Sequence, residues 1–409
     1  HSEGFHQLRF EQGEKSTQIL VKRNFNLDVK SDILKIPENK VQEALPSWSV
    51  GGLYIYSCGD EPSAFATLTH DCLTLNYDIV FTVISILNRL EEYDTDKFDV
   101  HGRFMLSNSV LQQNGLYRIP IVDYIVLFLR NYLQDNGFEI SDDTYEYTIS
   151  CDVDNIHRYK DVYLVRKWAV IIIDLLKRPI LIYRYLVNSR EFALQYDNHQ
   201  NFDYMLDLAQ KHGLVYTFNF IVNNTSIRYD YRYKLSSEFS KLFRLILANG
   251  HNVGLHFSYD SLLKGTINKE LDKFWSICKG YGTSYSSWRF HYLRFVVPDV
   301  FRISASGYTD TSFTFPEAGG FRCGTCHSFT PFNFEDNSIV SFRISPLVVM
   351  EGSLLNNPKI GYDSFEEEVG HLINECKKVN GNFSLLWHNS DLNKTNKLLF
   401  ENTIKLIVQ

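Results

Sequence analysis

The run Ser150-Cys151-Asp152-Val153-Asp154-Asn155 closes the alternating stretch from Tyr145 to Asp154, and its reading decides the fold. Residues two apart in an extended strand point the same way, so Asp152 and Asp154 present two carboxylates into one site. Such a pair repels unless a cation or a shared proton relieves it. Three readings stand: a metal site, an acid/base pair, or a solvated turn that caps the next helix. The polar pair Asp142 and Asp143 precedes the strand and marks the start of a new domain.

Beyond this strand, strands and helices alternate. Apolar runs at 214–222, 251–256, 286–295, 311–315, 344–350 and 383–388 are separated by helical segments near 201–212, 236–249, 267–280, 365–379 and 393–407. With the stretch at 145–154 the count is seven strands. Such βα repetition implies a parallel sheet, and polar residues at strand C-termini favour a barrel with its active site on that face. Residues from about 158 to 200 interrupt the repeat as a helical insertion. Residues 1 to about 140 mix short strands, such as Leu53 to Tyr56, with a helical stretch from Tyr77 to Tyr93 in which Ile79, Val83, Ile86 and Leu90 recur. The expected fold class is α/β: an irregular seven-stranded (β/α) barrel over 145–409, preceded by a smaller α+β domain over 1–140.

At 409 residues the chain exceeds one core, and 44% hydrophobic with 22% charged residues is the composition of a folded globular protein. The charge balance, 41 basic against 48 acidic residues, gives −7 without a long basic run, which argues against a nucleic-acid partner. The longest apolar stretch, Trp168 to Leu176, contains Asp174 and is flanked by Arg166, Lys167, Lys177 and Arg178. It falls short of the roughly 20 apolar residues of a membrane helix, so no span is expected. A core-facing helix is the favoured reading, and peripheral contact of a basic-rimmed helix with a membrane surface is the alternative. Seven scattered cysteines, an odd number, argue against a disulfide framework and for a reducing, cytoplasmic compartment. The sequence starts at His1, so export stays open. Cys323 and Cys326 read as ordinary thiols, and the oligomeric state does not follow from the sequence.

Three histidines end apolar strands: His256 after Val253-Gly254-Leu255, His291 within Arg289-Phe290-His291-Tyr292-Leu293-Arg294, and His388 after Phe383 to Trp387. A single strand-end histidine is usually structural. Three of them, converging with two aspartates on one barrel face, supply what a metal-assisted hydrolase requires: imidazole and carboxylate ligands, a base and an acid.

On these residues the stretch from about 145 to 400 resembles the polysaccharide deacetylases of carbohydrate esterase family four, the group with the nodulation-protein homology domain. Cys151-Asp152-Val153-Asp154 matches the D-x-D variant of that family's first motif, and Leu386-Trp387-His388 matches its last, L-x-H. The whole chain resembles a Bacteroidetes-type subgroup with an extra N-terminal domain, on Asn88-Arg89-Leu90-Glu91-Glu92-Tyr93 and His101-Gly102-Arg103-Phe104. Gly254 to Tyr259 and Gly320-Phe321-Arg322-Cys323-Gly324-Thr325-Cys326 look like further signatures of it. The family's second motif, H-S-x-x-H, is broken, because the position four after His256 is Asp260. Asp260 or His291 then takes the third ligand place, or metal binding is lost. His291 is favoured because it stands where the third motif, R-x-P-Y, has proline.

The resemblance implies a bacterial enzyme that removes acetyl groups from an N-acetylated glycan, with a divalent metal, Zn²⁺ by preference, held by Asp154, His256 and His291. It further implies Asp152 as base, His388 as acid and Arg289 beside Asp152. On the substrate side, Tyr292 follows His291. Arg322, in a glycine-rich loop with Gly319, Gly320 and Gly324, could bind an anionic substrate group or be a solvated turn residue. Trp387 could line an acetyl pocket, although its alternation with His388 points it outward. The rival reading is a catalytically silent carbohydrate-binding protein on the same fold; a weaker one is a metal-assisted hydrolase of other amides.

Overall fold

A computed structural model describes residues 5–23, 33–36, 53–56, 65–69, 72–93, 95–141, 143–158, 162–177, 179–188, 199–230 and 233–409. Asp142, Arg178 and the parts 159–161 and 189–198 of the expected insertion lie outside the described residues.

Among the described residues, two of the hydrophobic clusters organise the main sheets. The first gathers Ile19, Val21, Leu73, Leu75, Ile125 and Phe128 around a sheet built from β1 (Phe5–Gln12), β2 (Lys15–Lys22), β5 (Ala66–Thr69) and β6 (Cys72–Leu75) in the order β1-β2-β6-β5. A two-stranded pair, β3 (Ile33–Ile36) and β4 (Leu53–Tyr56), lies beside it in sequence. Helices α1 (Ile79–Leu87) and α2 (Ile121–Asp135) supply apolar faces, and the Asp78 side chain caps α1 by accepting from the Phe81 N–H. The helical stretch expected from Tyr77 to Tyr93 ends at Leu87, because Arg89 takes a left-handed conformation (φ 54°) and a 3₁₀ turn follows.

The second core wraps a parallel sheet that starts with β7 (Glu146–Val153). Ile149, Cys151 and Val153 point into the helix-covered layer, which leaves Ser150, Asp152 and Asp154 on the opposite side. The sheet continues through β8 (Tyr216–Ile221), β9 (Asn252–Phe257), β10 (Ser287–Phe290), β11 (Thr309–Asp310), β14 (Arg343–Ile344), β15 (Val349–Met350) and β16 (Asn382–Leu386). A small hairpin, β12 (Phe332–Asn333) and β13 (Ser338–Ile339), stands apart. The order β14-β11-β10-β9-β8-β7-β16-β15 makes β14 and β15 the two edges.

Those edges are joined by residues 345–348 alone. Such a link spans at most about 18 Å of extended chain, whereas the edges of a flat eight-stranded sheet lie roughly 33 Å apart. The sheet must therefore curl. The apolar run 344–350, expected as one strand, is divided between the two edges, so eight paired strands replace the expected seven. The run at 286–295 is also shortened: it stops at Phe290, where Tyr292 and Leu293 turn left-handed (φ 61° and 53°). In place of the strand expected at 311–315, β11 forms at Thr309–Asp310, just before that run, and the Asp310 side chain accepts from the Ser312 N–H at 2.6 Å.

Helices cover the outside: α5 (His199–His212), α6 (Ser237–Ala248), α7 (Ile267–Gly280), α9 (Phe365–Lys378) and α10 (Lys394–Val408), all close to the expected segments. The five-residue α8 (Glu351–Leu355) follows β15 directly. The insertion after β7 forms α3 (Leu164–Lys177) and α4 (Pro179–Val187). Among the described residues no helix is long and apolar enough to cross a membrane.

Candidate active site

Parallel register puts the polar side chains side by side. Asp152 pairs with Asn219 across β7 and β8, Asn219 with Gly254 across β8 and β9, and His256 with Arg289 across β9 and β10. A Cβ on Gly254 would lie 2.1 Å from Asn219 Oδ1, so only glycine leaves room for Asn219 to reach Asp152.

Asp152 is buried. Its Oδ1 accepts from Asn219 Nδ2 at 2.8 Å and from Arg289 Nη1 at 3.0 Å, while Oδ2 lies 3.5 Å from His256 Nε2. Burial alone would push this carboxyl up, but Arg289 and then His256 hold it below the usual carboxylate range. Arg289 is fixed in turn, with Nη1 donating to Ser150 Oγ and Nε to the Thr311 carbonyl.

Asp154, His256 and His291 converge. Asp154 Oδ1 lies 3.6 Å from His256 Nε2 and 3.4 Å from His291 Nε2. Each imidazole is oriented by its other nitrogen: His256 Nδ1 donates to the Arg289 carbonyl at 3.0 Å and His291 Nδ1 to Asp230 Oδ1 at 3.0 Å. In the neutral rings, these bonds leave both Nε2 lone pairs facing a carboxylate, a donor set that can hold a metal ion. Asp230 is itself anchored by Thr225, Ser226 and the Tyr259 N–H. Burial opposes its ionisation, but bonding to His291 and these donors keep its carboxyl low.

His388 stands across the site with Nδ1 2.6 Å from Oε1 of the fully buried Glu351, which also accepts the His388 backbone N–H at 2.9 Å. Burial works against a charged ring, but the Glu351 carboxylate outweighs it and raises the imidazole to about 10. Asp152, Asp154, His256, His291, Tyr292 and His388 all line one cavity of about 650 Å³. Its apolar wall comes from Leu293, Met350 and Leu386, and Ser353, Asn356, Asn357 and Ser390 add polar groups.

Three residues weighed from the sequence lie away from the Asp154 cluster or the cavity lining. Asp260 is absent from the metal-capable group; its carboxylate pairs with Arg294 Nη1 at 2.5 Å and Lys264 Nζ at 3.6 Å. Arg322 does not line the cavity and is not a solvated turn residue. It is buried, with Nε and Nη2 on Glu92 at 3.0 and 2.6 Å and Nη1 on the Thr314 carbonyl. Trp387 also lies outside the lining, because strand alternation turns it into the helix layer against Phe365 and Phe400. Cys323 and Cys326 are buried free thiols.

Asn219, Asp230, Glu351 and Arg103 escaped the sequence reading as site residues. Arg103 lines the cavity from the N-terminal part of the chain, and its Nη1 donates to the Tyr292 carbonyl at 3.0 Å, bracing the left-handed turn. Its position within His101-Gly102-Arg103-Phe104 was the available signal.

A family described as "Family of unknown function (DUF7033)" matches residues 6–137. No curated protein matches the chain. Among solved structures, one described as "Crystal structure of putative polysaccharide deacetylase from Mycobacterium smegmatis" is similar at 13% identity, with a TM-score of 0.38, over 66% of this chain and 86% of that one. At this similarity neither family nor activity transfers to this chain.

Proposed function

We propose that the protein is a metal-dependent hydrolase that removes acetyl groups from an N-acetylated sugar or polysaccharide. On this reading it is a diverged member of carbohydrate esterase family four, with a seven-stranded barrel in which β14 and β15 count as one kinked strand, and an accessory domain before about residue 140. The observation that carries the reading is the convergence of His256 Nε2, His291 Nε2 and Asp154 Oδ1, each imidazole oriented by a bond at Nδ1.

Asp154, His256 and His291 would hold a divalent cation, Zn²⁺ by the donor set, which would polarise the amide carbonyl and lower the pKa of water. The remaining chemistry belongs to the chain. Asp152, kept ionised by Arg289, takes the proton from the attacking water through Oδ2. His388, kept protonated by Glu351, delivers a proton to the departing amine nitrogen. Leu293, Met350 and Leu386 give the acetyl methyl an apolar wall, and Tyr292 with the cavity's asparagines and serines faces the sugar.

Elemental analysis of protein purified without chelator tests the reading, together with acetate release from acetylated sugars. About one metal ion per chain, lost in His256→Ala, supports it. A metal-free wild type that binds glycan without releasing acetate after reloading would overturn it in favour of a carbohydrate-binding protein.

A further inference from the structure

The insertion after β7 folds as two helices, α3 and α4, packed on each other. Leu164, Trp168, Ile172 and Leu176, one turn apart along α3, are 55–79% exposed. On α4, Ile180, Tyr183, Leu186 and Val187 are 66–74% exposed. The inner side is anchored, since buried Asp174 receives the Arg158 guanidinium at 2.6–3.0 Å. A contiguous apolar face of this kind on a folded chain marks an interaction surface.

Charge selects what covers it. Between Leu164 and Val187 the sequence carries Arg166, Lys167, Lys177, Arg178 and Arg184 against Asp174 alone, a local charge of +4 in a chain of −7. Lys177 and Arg184 are exposed beside the apolar face. A second copy of the chain would set like charge against like. An apolar face with a basic rim and an exposed Trp instead fits the boundary between headgroups and acyl chains of an anionic bilayer.

We propose that this helical hairpin docks the protein on anionic membrane surfaces. Its roots flank the candidate active site: Asn389, next to His388, donates through Nδ2 to the carbonyl of Asn155, next to Asp154, and accepts from Asn201 near the start of α5. Docking therefore brings the cavity to the bilayer, whatever reaction the cavity performs.

Co-sedimentation of the full chain with phosphatidylcholine vesicles, with and without an equal part of phosphatidylglycerol, tests this. The expected result is at least ~10-fold stronger partitioning onto the anionic vesicles, weakened by added salt. Trp168→Ser with Leu176→Ser should lower binding to both vesicle types about tenfold, and Lys177→Glu with Arg184→Glu should abolish only the anionic preference. Metal content and thermal midpoint read on the same variants verify folding independently. Failure to bind either vesicle, binding unmoved by both variants, or a dimer that the serine variant dissociates would overturn the proposal.

Discussion

His291 Nδ1 sits 3.0 Å from Asp230 Oδ1, and this bond decides which ring nitrogen faces Asp154. A carboxylate behind a ligand imidazole fixes its tautomer and raises its basicity, and loss of such a partner typically costs 10–100-fold in metal affinity. Asp230→Asn should therefore weaken Zn²⁺ binding by roughly tenfold or more in a chelator competition. Asp260→Ala, which removes only a carboxylate paired with Arg294 and Lys264, should leave affinity unchanged. Equal losses in the two variants would remove His291 from the ligand set.

Asp152 contributes Oδ2 to the cavity while Arg289 and Asn219 occupy Oδ1. Asp152→Asn keeps the shape but removes the basic oxygen. Turnover should fall by roughly 10²–10⁴-fold while the metal stays bound, as read by acetate release and elemental analysis on one preparation. Retained turnover would exclude Asp152 as the base.

The legible part of the site lies on strands. Alternation along 145–154 placed both aspartates on one face, and strand-end positions singled out His256, His291 and His388. Asp230 and Glu351 stayed hidden because they reach the histidines from segments brought near only by tertiary folding. The glycine-rich loop around Arg322 shows a sound principle with the wrong partner: Gly320 and Gly324 do admit a close approach, but of the protein's own N-terminal part. A Cβ on Gly320 (φ 129°) would sit 2.3 Å from the Tyr117 carbonyl oxygen, and one on Gly324 2.6 Å from Ile86 Cγ2. The split of 344–350 was equally hidden, because an apolar run does not reveal that its two ends pair with opposite edges of a curled sheet.

Arg322 and Glu92 make a buried pair across that seam, with Arg89 on the same carboxylate through Nε at 2.6 Å. Removing one member strands a buried charge, which costs more than the pair itself contributes. Arg322→Ala should destabilise the protein by about 3 kcal/mol, read as a lowered denaturant midpoint. Metal content at temperatures well below unfolding should be unaffected. Loss of glycan affinity with unchanged stability would return Arg322 to the substrate side.

Glu351 sets the protonation of His388. Burial opposes the charged ring, yet the carboxylate lifts it to about 10, above the roughly 6.5 of a free imidazole. The folded value is the higher one, so the associated stability is fully present below about pH 6.5 and lost as pH rises through about 10. If His388 is the proton donor, kcat/KM falls on the alkaline side as that proton leaves. Glu351→Gln removes the charge that holds it, so the alkaline limb should move to lower pH and the stability lost between neutral and alkaline pH should shrink. The acid limb, governed by Asp152 and its Arg289 partner, should stay in place. A pH profile of kcat/KM with an unmoved alkaline limb would show that another group donates the proton.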